Sequence, residues 1–245
     1  MSTKIPKNHP RRKSLEMRAL IEKGLEKGIV SKAGLVAHGR GEAFDYLLGE
    51  KTVQEARKQS EAAASMLLLA RKPVISVNGN STALCAKEIA RLAKAVPAQI
   101  EINLFYRTEK RVKAIEKEFG KFGAKVLGVK PAKKIPGLHS ERRKVDAEGI
   151  WKADVVLVML EDGDRTERLK KMGKKIAAID LNPLSRTARR ADVAIVDNVV
   201  RAVPLLTKNV KRLKGKNVKE LEKKIAAFNN SGLLKKIENR IRKGK

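Results

Sequence analysis

The 245-residue chain is short of several things at once. It has one cysteine, Cys85, which excludes an internal disulfide framework and a cysteine-based zinc site. Aromatic residues make up 3% of it and do not interleave with the basic C-terminal stretch, so a stacking platform for single strands has little to stand on. Long apolar runs are missing: Ala153–Leu160 is interrupted by Asp154 and ends at Glu161, far short of the roughly 20 residues of a membrane-crossing helix. The start, Met1-Ser2-Thr3-Lys4-Ile5-Pro6, has no apolar signal region, so no secretion and a cytoplasmic location are expected. Gly-x-x-x-x-Gly-Lys-Ser/Thr is absent, which excludes a P-loop. Gly39-x-Gly41 is followed by Phe44 where a dinucleotide fingerprint needs its third glycine. No Ser/His/Asp or Cys/His set and no set of metal ligands is recognisable, and no catalytic side chain is assigned.

Acidic residues are also scarce, 27 against 56 Lys+Arg, for a net charge of +29. The last 45 residues hold 15 basic and 3 acidic side chains, a net +12. Such an excess points to anionic partners. A solvated basic surface accounts for it more simply than a dedicated nucleic-acid function, which stays as the alternative. The chain is 42% hydrophobic, enough for a sizeable core and too much for overall disorder.

Helical spacing of Leu15, Ala19, Leu20, Ile21 and Leu25 predicts a helix over 12–28, and an Ala-rich helix follows at about 52–70. From residue 73 the pattern changes. Strands are predicted at 73–78, 99–104, 124–129, 153–160, 175–180 and 193–197. Helices are predicted between them at 81–95, 108–122 and 166–172, and a last one at 198–213. Near-continuous apolar strands alternating with helices predict an α/β fold, a doubly wound and mostly parallel sheet covered on both faces. The expected organisation is an N-terminal helical segment (1–72), an α/β core (73–213) and a basic helical extension (214–245), forming one structural domain. Cys85, beside Leu84 on an apolar helix face, belongs in the core.

Nearly every conspicuous polar run follows a strand: Asn78-Gly79-Asn80, Tyr106-Arg107-Thr108, Glu161 to Arg165, Asp180 to Thr187, and Asp197-Asn198. In open parallel sheets ligands bind at the carboxyl ends of strands, so these loops predict one polar crevice. Each has a plainer reading. Asn-Gly is a turn dipeptide, although Asn78-Gly79-Asn80 before a helix also offers N–H groups to a phosphate. Glu161 to Asp164 fits helix capping ahead of Mg²⁺ binding. Asn182, Arg186 and Thr187 suit an anion, with Arg supplying a bidentate charge. Arg40, between Gly39 and Gly41, has no evident packing role and favours anion binding, the glycines allowing close backbone approach.

Several blocks together resemble the archaeal phosphopantothenate synthetases, the 4-phosphopantoate–β-alanine ligases. They are Asn8-His9-Pro10-Arg11, Gly34-Leu35-x-Ala37-His38-Gly39-Arg40-Gly41-Glu42-Ala43-Phe44-Asp45-Tyr46, Pro73 to Asn80, Glu101-x-Asn103-Leu104-Phe105-Tyr106-Arg107-Thr108, Leu160 to Arg165 and Asp180 to Thr187. The resemblance runs from residue 8 to about 210 and leaves out the basic tail. It implies a Rossmann-like core, a homodimer and ATP as co-substrate, with Mg²⁺ expected on the nucleotide. The implied reaction joins 4-phosphopantoate to β-alanine and releases AMP and pyrophosphate through an acyl adenylate, a step towards coenzyme A. On matching positions it implies ATP binding by Arg18, Arg40, Asp180, Leu181, Asn182, Arg186, Thr187, Asn198 and Val199. For the phosphorylated acid, His38, Asn78, Asn80 and Arg107 are the candidates.

Overall fold

The computed structural model describes residues 5–244. Three helices come first: α1 (Arg12–Glu26), α2 (Lys32–Leu47) and α3 (Gln54–Leu69). The chain then alternates. Strand β1 (Pro73–Val77) leads to α4 (Gly79–Ala95), β2 (Gln99–Ile102) to α5 (Glu109–Gly120), and β3 (Val126–Leu127) closes this half. An antiparallel pair, β4 (Lys133–Lys134) and β5 (Lys144–Val145), intervenes. The second half runs β6 (Val155–Met159), α6 (Gly163–Lys171), β7 (Lys175–Ile179), α7 (Arg186–Arg190), β8 (Val193–Ile195) and α8 (Val199–Leu213). Two helices end the chain, α9 (Val218–Ala226) and α10 (Asn230–Lys243).

The six main strands form one parallel sheet in the order β3-β2-β1-β6-β7-β8. The chain works outward from β1 in one direction, then returns to β6 on the other side. The topological switch point therefore lies between β1 and β6, and a crevice opens there at their carboxyl ends. Side chains alternate across the sheet, as strand geometry requires. Ile75, Val77, Ile100, Ile102, Leu157 and Ile179 meet α4, α5 and α8 on one face. Val74, Val156, Val158, Ile176 and Ala178 meet the other layer, which includes Leu169 of α6, Ala188 of α7 and Ile237 of α10.

That second face carries a polar exception. Ser76 of β1 stands in register with Glu101 of β2, and both are buried. Arg165 of α6, fully buried, comes down onto Ser76 with Nη1 3.2 Å from Oγ. Only Nη1 of that guanidinium is bonded there; the buried Nε and Nη2 have no hydrogen-bond partner.

Two elements go beyond the sequence expectation. Residues 32–47 form a helix despite Gly34, Gly39 and Gly41, which are poor helix formers. Packing explains it: a Cβ at Gly34 would overlap Asn80 and lie 2.8 Å from Val30 Cγ1, so only glycine lets α2 press on the start of α4. The close approach is thus at Gly34, whereas Gly39 faces open space. The basic tail is built into the layers. Leu221, Leu234 and Ile237 are buried. Asn230 donates to Ala188 O (3.0 Å) and Ala191 O (3.2 Å) and accepts from Ala194 N (2.9 Å), fixing α10 to α7 and β8.

Candidate active site

The ends of β1, β2 and β6 open onto a cleft of about 280 Å³ flanked by α2. Asn78 and Gly79 form its floor, with Leu160, Glu161 and Asp162 opposite and Tyr106 at one end. A larger hollow of about 480 Å³ lies between α3, α9 and α10, but no strand end reaches it. Its one acid, Glu61, already pairs with Lys224. The switch-point cleft is where the polar groups converge.

Asn78 defines that cleft. Its Oδ1 accepts from Ser81 N (3.1 Å), and Ser81 Oγ accepts from Asn78 N (3.0 Å), a reciprocal cap on α4. Its Nδ2 donates across the crevice to Met159 O (2.7 Å) and Leu160 O (3.3 Å). One side chain therefore starts the helix and ties β1 to the end of β6. Leu160 sits at φ 52°, a conformation that a branched residue adopts only when its surroundings impose it.

Beneath the cleft lies a network of charges. Glu161, almost wholly buried, pairs with Arg142 through one oxygen and with Arg165 through the other. Asp162 caps α6 by accepting from Arg165 N (2.9 Å), and its other oxygen faces Arg142 at 3.2 Å. The capping reading of this loop is thus realised. Burial lowers Arg142 and Arg165 to about 10 each, so both stay cationic at neutral pH. Arg142 belongs to no sheet strand and is carried in by β2. Asn103 Nδ2 donates to Arg142 O (3.0 Å) and Lys144 O (3.2 Å), while Glu101 accepts from Asp146 N (2.9 Å) and Ile150 N (2.6 Å). Burial pushes Glu101 up to about 7, against those two N–H groups.

Of the sequence candidates, Arg40, Asn78 and Asn80 line the cleft. Asn80 donates to Gly34 O (2.8 Å), seating α2. The Asp180 to Thr187 loop lies against the β6 end: Thr187 Oγ1 donates to Glu161 O (3.2 Å) and Arg186 pairs with Asp164. Asp180 is raised by burial, against its bonds from Ser185 and Asn182 and the charge of Arg40, which places Arg40 near it. Its carboxylate accepts from Asn182 N (3.0 Å) and Ser185 Oγ (2.5 Å). Leu181 is buried, 3.6 Å from where a Cβ on Gly41 would stand.

The other candidates fall elsewhere. Arg107 turns away, its Nη2 donating to Gly128 O (2.6 Å) and Val129 O (3.1 Å). Arg18 on α1 is held by Glu42 of α2 at 2.8 Å, and that hydrogen bond raises its pKa. His38 is not part of the cleft wall. Burial lowers its pKa against the charge of Glu42, so it is neutral at pH 7. Asn198 and Val199 are buried at the start of α8, with Asn198 Nδ2 donating to Asp45 Oδ2 (2.8 Å). Sequence reasoning missed Arg111 and Arg142, which do line the cleft.

A family model described as phosphopantothenate/pantothenate synthetase matches residues 55–244. The chain belongs to this family. A 4-phosphopantoate–β-alanine ligase of Thermococcus onnurineus is 56% identical over 241 residues, spanning 98% of this chain and 92% of the relative. One from Methanosarcina mazei is 46% identical over 98% of this chain and 94% of the relative, and one from Methanospirillum hungatei is 51% identical over 81% and 82%. The match to residue 244 corrects the sequence reading that left the basic tail outside the resemblance. The nucleic-acid alternative draws no support from these comparisons. Among the described residues, no helix of this synthetase-family chain is long and apolar enough to cross a membrane. Nor do three His, Cys, Asp or Glu side chains gather there as a metal site.

Proposed function

We propose that the chain ligates 4-phosphopantoate to β-alanine at the switch-point cleft, driven by ATP going to AMP and pyrophosphate. The observation that carries this is a near-full-length likeness to ligases of that name, joined to a cleft walled by cations and helix N-termini. A carboxylate does not acylate an amine unaided at neutral pH. In this reading its oxygen attacks the α-phosphorus of ATP, the α–β anhydride bond breaks and pyrophosphate leaves. The β-alanine nitrogen then attacks the acyl carbon and the C–O bond to AMP breaks, with the surplus amine proton passing to solvent. The first step brings two polyanions together, so positioning and charge neutralisation are the chain's main tasks.

The nucleotide is assigned to the β6–β7 side of the crevice. Arg40 and Arg186 would face its phosphates, and Asp180 with Leu181 and Asn182 its ribose. Thr187 and the N–H groups of α8 at Val199 would complete the site, with Asn198 fixing that helix end. Glu161 and Asp162 are engaged by arginines, so Mg²⁺ fits here as an ion carried on the phosphates and not as one caged by the protein. There it would neutralise charge on the pyrophosphate leaving group. The acid substrate is assigned to the β1–β2 side, beside Asn78 and Asn80.

We also infer a homodimer through α2 and a cytoplasmic setting. Ala33, Val36 (77% exposed), Ala43 and Leu47 (48%) recur at helical spacing on the exposed side of α2, and Arg40 lies in the same row. A second copy seated there would also cover the cleft that Ala33, Ala37 and Arg40 line. The decisive assay measures AMP and pyrophosphate from ATP with the two acids supplied singly and together. Products with both, plus 4-phosphopantothenate, support the ligase. Turnover lost in Arg186→Ala at unchanged fold supports the nucleotide assignment, and no release under any combination refutes the reading.

A further inference from the structure

Helix α2 is seated in the fold by polar ties. Its exposed side carries the apolar row, and the residue it buries is a carboxylate, Asp45. A buried ion pair adds little stability beyond what an apolar residue of similar volume would give, while its hydrogen bonds fix where the partners sit. Asp45 Oδ2 accepts from Asn198 Nδ2 (2.8 Å) and Arg201 Nη1 (3.2 Å), and its Oδ1 accepts from Arg201 Nη2 (2.5 Å). The arginine fork thus holds the carboxylate by both oxygens. Arg201 Nε donates to Asp197 Oδ1 (2.8 Å), and Asp197 Oδ2 accepts from Thr52 Oγ1 (2.6 Å). Two buried acids therefore share one arginine at the start of α8, where the helix N-terminus favours the remaining negative charge. Asn198 does two jobs: its Oδ1 accepts from Val200 N (3.2 Å), capping α8, while its Nδ2 grips α2. The two ends of α2 are pinned to different sides of the crevice. Near its start Gly34 O accepts from Asn80 of α4, and near its end Asp45 takes α8. Arg40 lies between the pins.

We propose that Asp45 is a positioning residue for the nucleotide: by gripping Arg201 and Asn198 it locks α2 to the first turn of α8, and so holds Arg40 and the Asn198–Val199 end in one geometry. The inference rests on the ligase reading above and on the nucleotide assignment within it. Asp45 acts through these partners, since both of its oxygens are taken by them. Its influence falls on ATP and not on the acid. The start of α8 follows β8, on the nucleotide's half of the sheet, and the part of α2 that faces the acid's half keeps its own tie to Asn80.

The test compares wild type with Asp45→Asn, which keeps the shape and drops the charge, with Arg201→Gln and with the double variant. Circular dichroism and melting serve as folding controls. We expect KM for ATP to rise on the order of tenfold in each single variant, as a misplaced binding group allows, while KM for 4-phosphopantoate holds. The double variant should match the worse single one, because both substitutions break one link. Asp45→Asn carries the comparison alone if Arg201→Gln, which leaves two buried acids, fails to fold. Thr52→Val disturbs the same cluster without touching α2, and should lower the melting point and leave KM for ATP in place. A lower melting point in Asp45→Asn with both KM values unchanged would make the residue structural only and overturn the proposal. Equal rises in both KM values, or an equal rise for ATP in Thr52→Val, would overturn it too and leave the ligase reading standing. If wild type makes no 4-phosphopantothenate, the ligase reading fails instead. Calorimetric titration of ATP into wild type and Asp45→Asn then decides the clamp: weaker binding by the variant upholds it, and equal or absent binding removes it.

Discussion

Asn78 is the residue whose removal tests the architecture of the site most sharply. Substitution to alanine removes the cap on α4, at a cost of about 1 kcal/mol. It also takes the donor from the Met159 and Leu160 carbonyls, which adds about 1–3 kcal/mol where they are buried. The expected loss is about 2–4 kcal/mol. For a chain of this size that corresponds to a melting point lower by about 5–15 °C. Asn78→Asp separates the two roles. A carboxylate still accepts from Ser81 N, and suits a helix N-terminus, but it cannot donate to the two carbonyls and repels them. If the stitch across the crevice matters, the aspartate variant loses most of what alanine loses, and both lower kcat/KM by letting β1 and β6 part. Urea melts of the three proteins decide it. An aspartate variant as stable as wild type would refute the stitch, and an alanine variant within about 0.5 kcal/mol of wild type would refute the whole account.

Glu101 holds a proton up to about pH 7 when folded, against an ordinary value of 4.5. The folded state therefore binds more protons than the unfolded one between these values, and stability falls as pH rises through that window, by up to about 3 kcal/mol. Urea midpoints at pH 5, 6, 7 and 8 should show that slope in wild type and a flatter one in Glu101→Gln; parallel slopes would contradict it. Gly79→Ala should both destabilise the fold and weaken use of the acid substrate, since its methyl meets the Ile29 carbonyl and Arg111; thermal melts and KM report the two effects. Asn230→Ala should loosen α10 by about 1–3 kcal/mol through three lost hydrogen bonds, seen as faster amide exchange in 230–243 than in the sheet. Val36→Glu should convert the inferred dimer to monomer, read by sedimentation, with loss of ligation; an unchanged dimer would move the interface off α2.

The sheet was legible because its strands are short apolar runs with helices between them, and a parallel sheet must be buried on both faces to stand. The crevice was legible for the same reason: polar residues crowd the strand ends, where backbone groups have left the ladder. The limits are equally physical. Arg107 and Arg111 lie four residues apart, and only the start of α5 decides between them. Thr108 caps that helix by accepting from Arg111 N (3.3 Å). Arg111 therefore rides on the first turn towards the cleft, while Arg107, outside the helix, folds back onto the loop at Gly128. No local pattern carries that choice. Arg142 was hidden by distance along the chain, since its backbone hangs from Asn103, 39 residues earlier. A hint existed in Glu101 and Asn103, polar residues set among the buried Ile100, Ile102 and Leu104. The helix at 32–47 was obscured by its glycines, which serve its packing on α4 and not its own stability.

The charges at the switch point divide in a way that bears on how two anionic substrates share one crevice. On the β6 side three of the cations already have an acid: Glu161 takes Arg142 and Arg165, and Asp164 takes Arg186. Opposite charges brought in there must exchange partners, which suits a nucleotide that arrives with its own counter-ion and leaves as two products. On the β1–β2 side Arg111 has only backbone carbonyls, and no carboxylate has to be displaced. An anion arriving there would meet that charge without displacing an acid. In the proposed reaction the acid substrate would need such an anchor, because its carboxylate end would pass from one partner to another while the rest of the molecule must not move.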